Sequence, residues 1–291
     1  MKHRSWLFVP GDSERKLAKI PDCGADVAIL DLEDAVVSRR KPLARDSAAA
    51  FLNDHRDAPL PALWVRVNPW SSGLTRDDLA AVVPAGAAGI VLPKPDSVRD
   101  VRQLDEALTE LEAAHGLTPG VIRVLAVATE TALGVARLSS YTESPERLWG
   151  LAWGAEDLSA ELGATTNRGR DGEFLMTYRM VRSLCQLAAA AAGKPAIDTL
   201  YADFRNLDGL RQISARARRE GFVGMLAIHP GQIPIINAAF TPSAEDIEFA
   251  RRVVDTFAQQ ADTGVVALDG KMLDRPHLQQ ARRMLQLVDT D

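Results

Sequence analysis

The stretch AILDLEDAV, Ala28 to Val36, runs an apolar segment into Asp31, Glu33 and Asp34 and then turns apolar again. A short apolar run without polar alternation reads as a strand buried on both faces, the condition of a parallel sheet covered by helices. Seven further runs share this character: SWLFVP (5–10), LWVRVN (63–68), GIVLPKP (89–95), IRVLAVAT (122–129), LWGLAWG (148–154), AIDTLY (196–201) and MLAIHP (225–230). With VAILDLED (27–34) they make eight, separated by helix-like segments. Eight βα units predict a (β/α)8 TIM barrel over residues 1–240.

The intervening helices carry start signals. Ser97 with Asp100, Thr75 with Asp78 and Ser243 with Asp246 each have the i, i+3 spacing of a capping box,. After Ser97, the residues Val98, Val101, Leu104, Leu108 and Leu111 fall on one helical face, a stripe that suits the outer ring of a barrel,. FTPSAED marks a break after the eighth unit, and residues 241–291 exceed what a barrel needs. They predict a C-terminal helical extension, with helices over 243–260 and 276–289 around a short GVVALDGK,.

Composition narrows the function. Of 291 residues, 46% are hydrophobic and 25% charged, and 39 acids against 34 bases leave a net charge of −5. That is ordinary globular composition, and the acidic balance argues against nucleic acid as a partner. The two cysteines, Cys23 and Cys185, have no metal-ligand or redox spacing,. MKHRSWLFVPG stops its apolar run at Pro10-Gly11, too early for a secretory signal, and LAAAAAG (187–193) is too short to span a bilayer,. The expected location is the cytoplasm, with no membrane association.

Barrel enzymes gather their catalytic groups at the C-terminal ends of the strands. Those positions hold Asp31, Glu33 and Asp34 on strand two, Arg66 and Asn68 on strand three, Lys94 on strand four and Glu130 on strand five. Glu156 and Asp157 follow strand six, Asp198 lies on strand seven and His229 on strand eight. Glu130 and Asp157 stand on neighbouring strands and offer two oxygen ligands to a hard dication, the donor set of Mg2+. Arg66 offers a two-point grip on a substrate carboxylate. Asp34 suits an acceptor for metal-bound water or for an arginine. Of Asp31 and Glu33, strand alternation lets only one face inward. A cap for the helix after strand two is the competing role for these acids, and His229 reads either as a base or as a packing residue. No Walker motif, GxGxxG, HExxH or GxSxG is present,.

RSWLFVPG, AILDLEDAV, WVRVN, GIVLPKPDS, ATETALG, WGAEDLSAELG, AIDTLYAD, GFVGMLAIHPGQI and ALDGKMLDRP occur in an order that resembles the citrate lyase β-subunit-like family, relatives of malyl-CoA and citramalyl-CoA lyases. The resemblance spans nearly the whole chain. It implies a Mg2+-dependent carbon–carbon lyase, usually trimeric, acting on a 2-oxo acid and an acyl thioester carried by CoA or an acyl carrier protein. It also implies that Glu130 and Asp157 hold the metal, that Arg66 and Lys94 meet the substrate along with Pro10 and Gly11, and that Asp274 is the carbon acid/base, delivered from an adjacent subunit. A synthase or thioesterase on the same residues, and a non-catalytic oxo-acid-binding subunit, are the alternatives. Two departures bear on the thioester carrier: Gly224-Met225 stands where many relatives read Gly-Lys, and NRGRDGEFLM differs from the usual loop.

Overall fold

The computed structural model describes residues 2–56, 61–260 and 263–286. All eight expected strands form: β1 (Ser5–Pro10), β2 (Val27–Asp31), β3 (Ala62–Arg66), β4 (Gly89–Leu92), β5 (Arg123–Val127), β6 (Leu148–Ala152), β7 (Ala196–Asp198) and β8 (Gly224–Ala227). Each pairs with the next, and β1 pairs in parallel with β8 through Ser5↔Met225, Trp6↔Leu226 and Leu7↔Ala227, closing a (β/α)8 barrel. Closure removes free strand edges, and burial on both faces explains why β2, β4 and β8 are buried along their whole length,.

The barrel centre is solid. Trp6, Ile29, Trp64, Val91, Leu125 and Leu226 meet there. Towards one end the rings of Trp6, Trp64 and Trp149 pack with centroids 4.9, 5.1 and 6.2 Å apart. Gly89 makes room for this cluster, because a Cβ there would stand 2.5 Å from the Trp64 ring. The two-residue period then sets the site: Ile29 and Trp64 point inward, so Asp31 and Arg66, two positions on, point inward too. These two are direct register partners across β2 and β3.

The helix Val98–Ala114 begins with the expected Ser97–Asp100 capping box, and Val98, Val101, Leu104 and Leu108 are buried along it. Ser243 and Asp246 cap the helix Ala244–Gln259 in the same way. Thr75 is not a cap. The helix Thr75–Ala85 already includes it, and its hydroxyl donates instead to the Asn68 carbonyl at 2.9 Å. Among the described residues no helix is long and apolar enough to cross a membrane.

His3–Asn237 forms one compact unit, and residues from Ala238 onward build a second. The second contains Ala244–Gln259, an antiparallel hairpin of β9 (Val265–Leu268) and β10 (Lys271–Asp274), and the helix Arg275–Gln286. Ala250, Val253, Phe257, Val266, Leu273 and Ala281 form its own core. The extension is thus not purely helical. Asp269 and Gly270 join the strands with φ of 51° and 73°, the conformation that a two-residue type I′ turn demands,. Of the helix expected to 289, residues 287–289 lie outside the described residues.

Candidate active site

Arg66 is fixed at the end of β3 by its register partner. Its Nε and Nη2 donate to the two oxygens of Asp31 at 2.8 and 2.7 Å, and Nη1 stands 3.0 Å from Glu33 Oε2. The ring of Phe8 lies 4.6 Å from the guanidinium carbon, a contact that sequence reading missed. Burial opposes the charge, but Asp31 and then Glu33 outweigh it and raise the arginine's pKa. Both acids reach one arginine, against the expectation that only one would face inward. Strand β2 ends at Asp31, so Glu33 sits in the following turn, where strand alternation no longer applies. Asp31 steadies that turn by accepting the Glu33 and Ala35 N–H groups at 2.9 and 3.3 Å.

Lys94 joins the remaining acids. It lies between Pro93 and Pro95 with φ of 51°, a left-handed conformation that costs a side-chain-bearing residue about 1–3 kcal/mol and concentrates at functional sites,. Its backbone N–H donates to Glu130 Oε2 at 2.7 Å. Its Nζ contacts Glu33, Asp34 at 2.9 Å and Asp157 at 3.1 Å. The resemblance places Lys94 at the substrate, and in the structure its ammonium is engaged by three carboxylates. Burial lowers its pKa and Glu33 and Asp34 raise it, with a net rise. Asp34 finds its partner in this lysine rather than in an arginine. Burial opposes its ionisation, yet the Lys94 hydrogen bond prevails and the pKa is lowered. At Glu33 burial prevails over both cations and the pKa is raised.

Glu130 and Asp157 are the two candidate metal ligands. Burial first, then the charge of Asp157, raises the Glu130 pKa from 4.5 to about 8. Asp157 lies in the first turn of the short helix Glu156–Glu161 after β6. Gly154 leaves space for Glu130, since a Cβ there would be 2.7 Å from Glu130 Cγ and 3.2 Å from Oε1. Two nearby carboxylates that repel form a site that favours added positive charge. Among the described residues no group of three or more His, Cys, Asp or Glu is arranged around a metal position. Two carboxylates with open positions for water and substrate nevertheless fit Mg2+, which rarely takes more from a protein.

Other strand-end groups have structural partners. Gly11 is buried, and its N–H donates to the Asp31 carbonyl at 2.9 Å, so it shapes the strand end beside Pro10. Asn68 gives its backbone and side-chain N–H groups to Asp78, at 2.9 and 2.7 Å. Asp198 holds Trp153 at 2.6 Å and Arg182 at 2.8 Å. His229 accepts the Gly231 N–H at 3.0 Å and stacks on Phe204 with centroids 5.0 Å apart. Asp274 belongs to the second unit, ending β10, where its Oδ1 is 2.5 Å from His277 Nδ1. That histidine also went unread in the sequence.

A family model described as HpcH/HpaI aldolase/citrate lyase matches residues 4–230. The citrate lyase subunit beta of Haemophilus influenzae is 36% identical over 285 residues, covering 97% of this chain and 96% of that one. The (3S)-malyl-CoA thioesterase of Cereibacter sphaeroides is 37% identical over 284 residues, covering 97% and 93%. Among solved structures, the protein CitE of Mycobacterium tuberculosis in complex with magnesium, acetoacetate and coenzyme A matches with a TM-score of 0.76 and 33% identity, covering 99% of this chain and 98% of that one.

Proposed function

We propose that this chain, which belongs to the HpcH/HpaI aldolase/citrate lyase family, is a cytoplasmic, Mg2+-dependent carbon–carbon lyase. Its substrate is a 3-hydroxy-carboxyacyl thioester of the citryl, malyl or citramalyl type, and its products are a 2-oxo acid and an acetyl-type thioester. One observation carries the reading: Lys94 touches Glu130 through its backbone and Asp157 through its ammonium, so two carboxylates from neighbouring strands converge beside Arg66. The magnesium complex of the M. tuberculosis protein supports the choice of metal.

Cleavage requires that the substrate hydroxyl lose its proton, that the bond between the carbinol carbon and the thioester α-carbon break, and that the resulting enolate take up a proton. Glu130 and Asp157 would hold Mg2+, which would supply Lewis acidity for the oxygen that becomes the ketone. Arg66 meets negative charge on the substrate, and Asp31 fixes its orientation before substrate arrives, so little reorganisation is needed during the reaction,. Asp34, kept ionised and more than half exposed, accepts the hydroxyl proton at the rim of the acid cluster,. Asp274 protonates the enolate carbon. It acts on a neighbouring barrel in a homo-oligomer, a trimer by resemblance to the family.

The test is turnover of citryl, malyl and citramalyl thioesters, each on CoA and on acyl carrier protein, with Mg2+ or with EDTA. Mg2+-dependent release of a 2-oxo acid is the expected result. Release of free thiol without an oxo acid would assign the site to thioester hydrolysis, the reading favoured by the malyl-CoA thioesterase relative. Mg2+-dependent oxo-acid binding with no turnover would make the chain an accessory subunit.

A further inference from the structure

Arg66 is committed to Asp31 and Glu33, which leaves Lys94 as the cation in contact with Asp157. We propose that Lys94 is a tethered counter-cation of the metal site, which neutralises the acid cluster in the metal-free chain and competes with the dication for Asp157. The inference rests on the reading of Glu130 and Asp157 as metal ligands.

Three observations support it. The position is built: prolines on both sides stiffen the backbone, and the left-handed turn at Lys94 persists although a side chain disfavours it,. The ammonium is central, with contacts to Glu33 and Asp34 in the turn after β2 and to Asp157 in the first turn of the helix after β6. The charges are also unequal: among the described residues the carboxylates of Asp31, Glu33, Asp34 and Asp157 share the ion pairs of two cations, Arg66 and Lys94, while Glu130 accepts the Lys94 backbone N–H. An excess of carboxylate attracts a dication, but a fixed ammonium 3.1 Å from Asp157 repels the same ion across the oxygen they would share,. Lys94 therefore preserves the geometry of the empty acid cluster at the expense of metal affinity.

Calorimetric titration with Mg2+, without substrate, tests this on full-length wild type, Glu130→Ala, Lys94→Met and Lys94→Gly. The glycine variant guards against misfolding, because the left-handed turn is one that glycine adopts freely. Loss of Mg2+ binding in Glu130→Ala bears on the metal-site reading alone. If Lys94 is a competitor, both Lys94 variants bind Mg2+ at least fivefold more tightly than wild type. Unchanged or weaker binding in the folded variants, beside a wild type that binds and a Glu130→Ala that does not, overturns the counter-cation role and leaves the metal site standing. A wild type that takes up no Mg2+ overturns both.

Discussion

Arg66 and Asp31 are register partners on adjacent strands and close a two-point ion pair at 2.8 and 2.7 Å in the first polar layer above the apolar barrel centre. The fork of the guanidinium is thus occupied before any substrate binds, and the arginine's position is inherited from the sheet. A residue held in this way contributes through a fixed charge, and its geometry and the stability of the strand ends are linked.

Arg66→Lys should therefore damage both. A lysine delivers a point charge and cannot reproduce two parallel bonds to Asp31, which is almost fully buried,. Urea unfolding should register a loss of about 1–3 kcal/mol, the range for a buried polar partner left incompletely satisfied. Cleavage should fall at least tenfold in kcat/KM, roughly 1.4 kcal/mol of lost transition-state stabilisation. Wild-type stability together with wild-type kinetics would remove Arg66 from the site.

Glu130 makes the stability of the metal-free chain depend on pH. Its folded pKa, about 8, lies above its ordinary 4.5, so between those values the native state binds more protons than the unfolded one. Stability is then full below about 4.5 and declines as pH rises through 8, by an amount on the order of a few kcal/mol,. Glu130→Gln should flatten this decline in thermal melts taken with EDTA, and saturating Mg2+ should flatten it in wild type by favouring the ionised form. A wild-type melting point that is constant from pH 5 to 8.5 in EDTA would contradict the burial assigned to this carboxylate.

The barrel and part of its site were legible because each rests on local pattern. Ile29 and Leu30 before Asp31, or Ile90, Val91 and Leu92 before Lys94, announce a doubly buried strand and its polar end. That Glu130 and Asp157 come close to one another followed from the order of the strands. What stayed hidden depends on closure of the sheet or on departure from regular structure. Asp78 has the spacing of a cap, yet it is buried and holds Asn68 and Arg45, partners distant in sequence. The left-handed turn at Lys94 gives no periodic signal, and its pairing with acids after β2 and β6 appears only when those segments meet. Asp269-Gly270 is a readable hairpin signal inside the short GVVALDGK segment, which sequence reading sets between two helices without assigning it strands,.

Gly154→Ala should separate the metal site from the fold. The added methyl would fall 2.7 Å from Glu130 Cγ, so the carboxylate must move, whereas Gly154 lies beyond the end of β6 and contributes no strand pairing. Mg2+ affinity by calorimetry should fall at least tenfold while the far-ultraviolet spectrum is retained. Unaltered Mg2+ binding would mean that Glu130 does not hold the ion in the position its cradle implies.

Asp274 should act on a neighbouring copy of the chain. It lies in the second unit, at the end of a hairpin, whereas Asp31, Glu33 and Asp34 at the barrel strand ends are paired with Arg66 and Lys94. Cleavage still needs a proton for the enolate carbon. If a neighbour supplies it, Asp274→Asn and Glu130→Ala are inactive for different reasons, one lacking the acid and the other the metal. Unfolded and reassembled together, some interfaces would join an intact barrel to an intact tail, and partial activity should return only when mixed oligomers form. His277, 2.5 Å from Asp274, gives an internal comparison, since His277→Gln removes the ring that orients this carboxylate and should slow α-proton exchange without changing Mg2+ affinity. Mixed oligomers verified by mass spectrometry that remain inactive, or an Asp274→Asn protein that exchanges thioester α-protons at the wild-type rate, would leave the tail without a role in proton transfer.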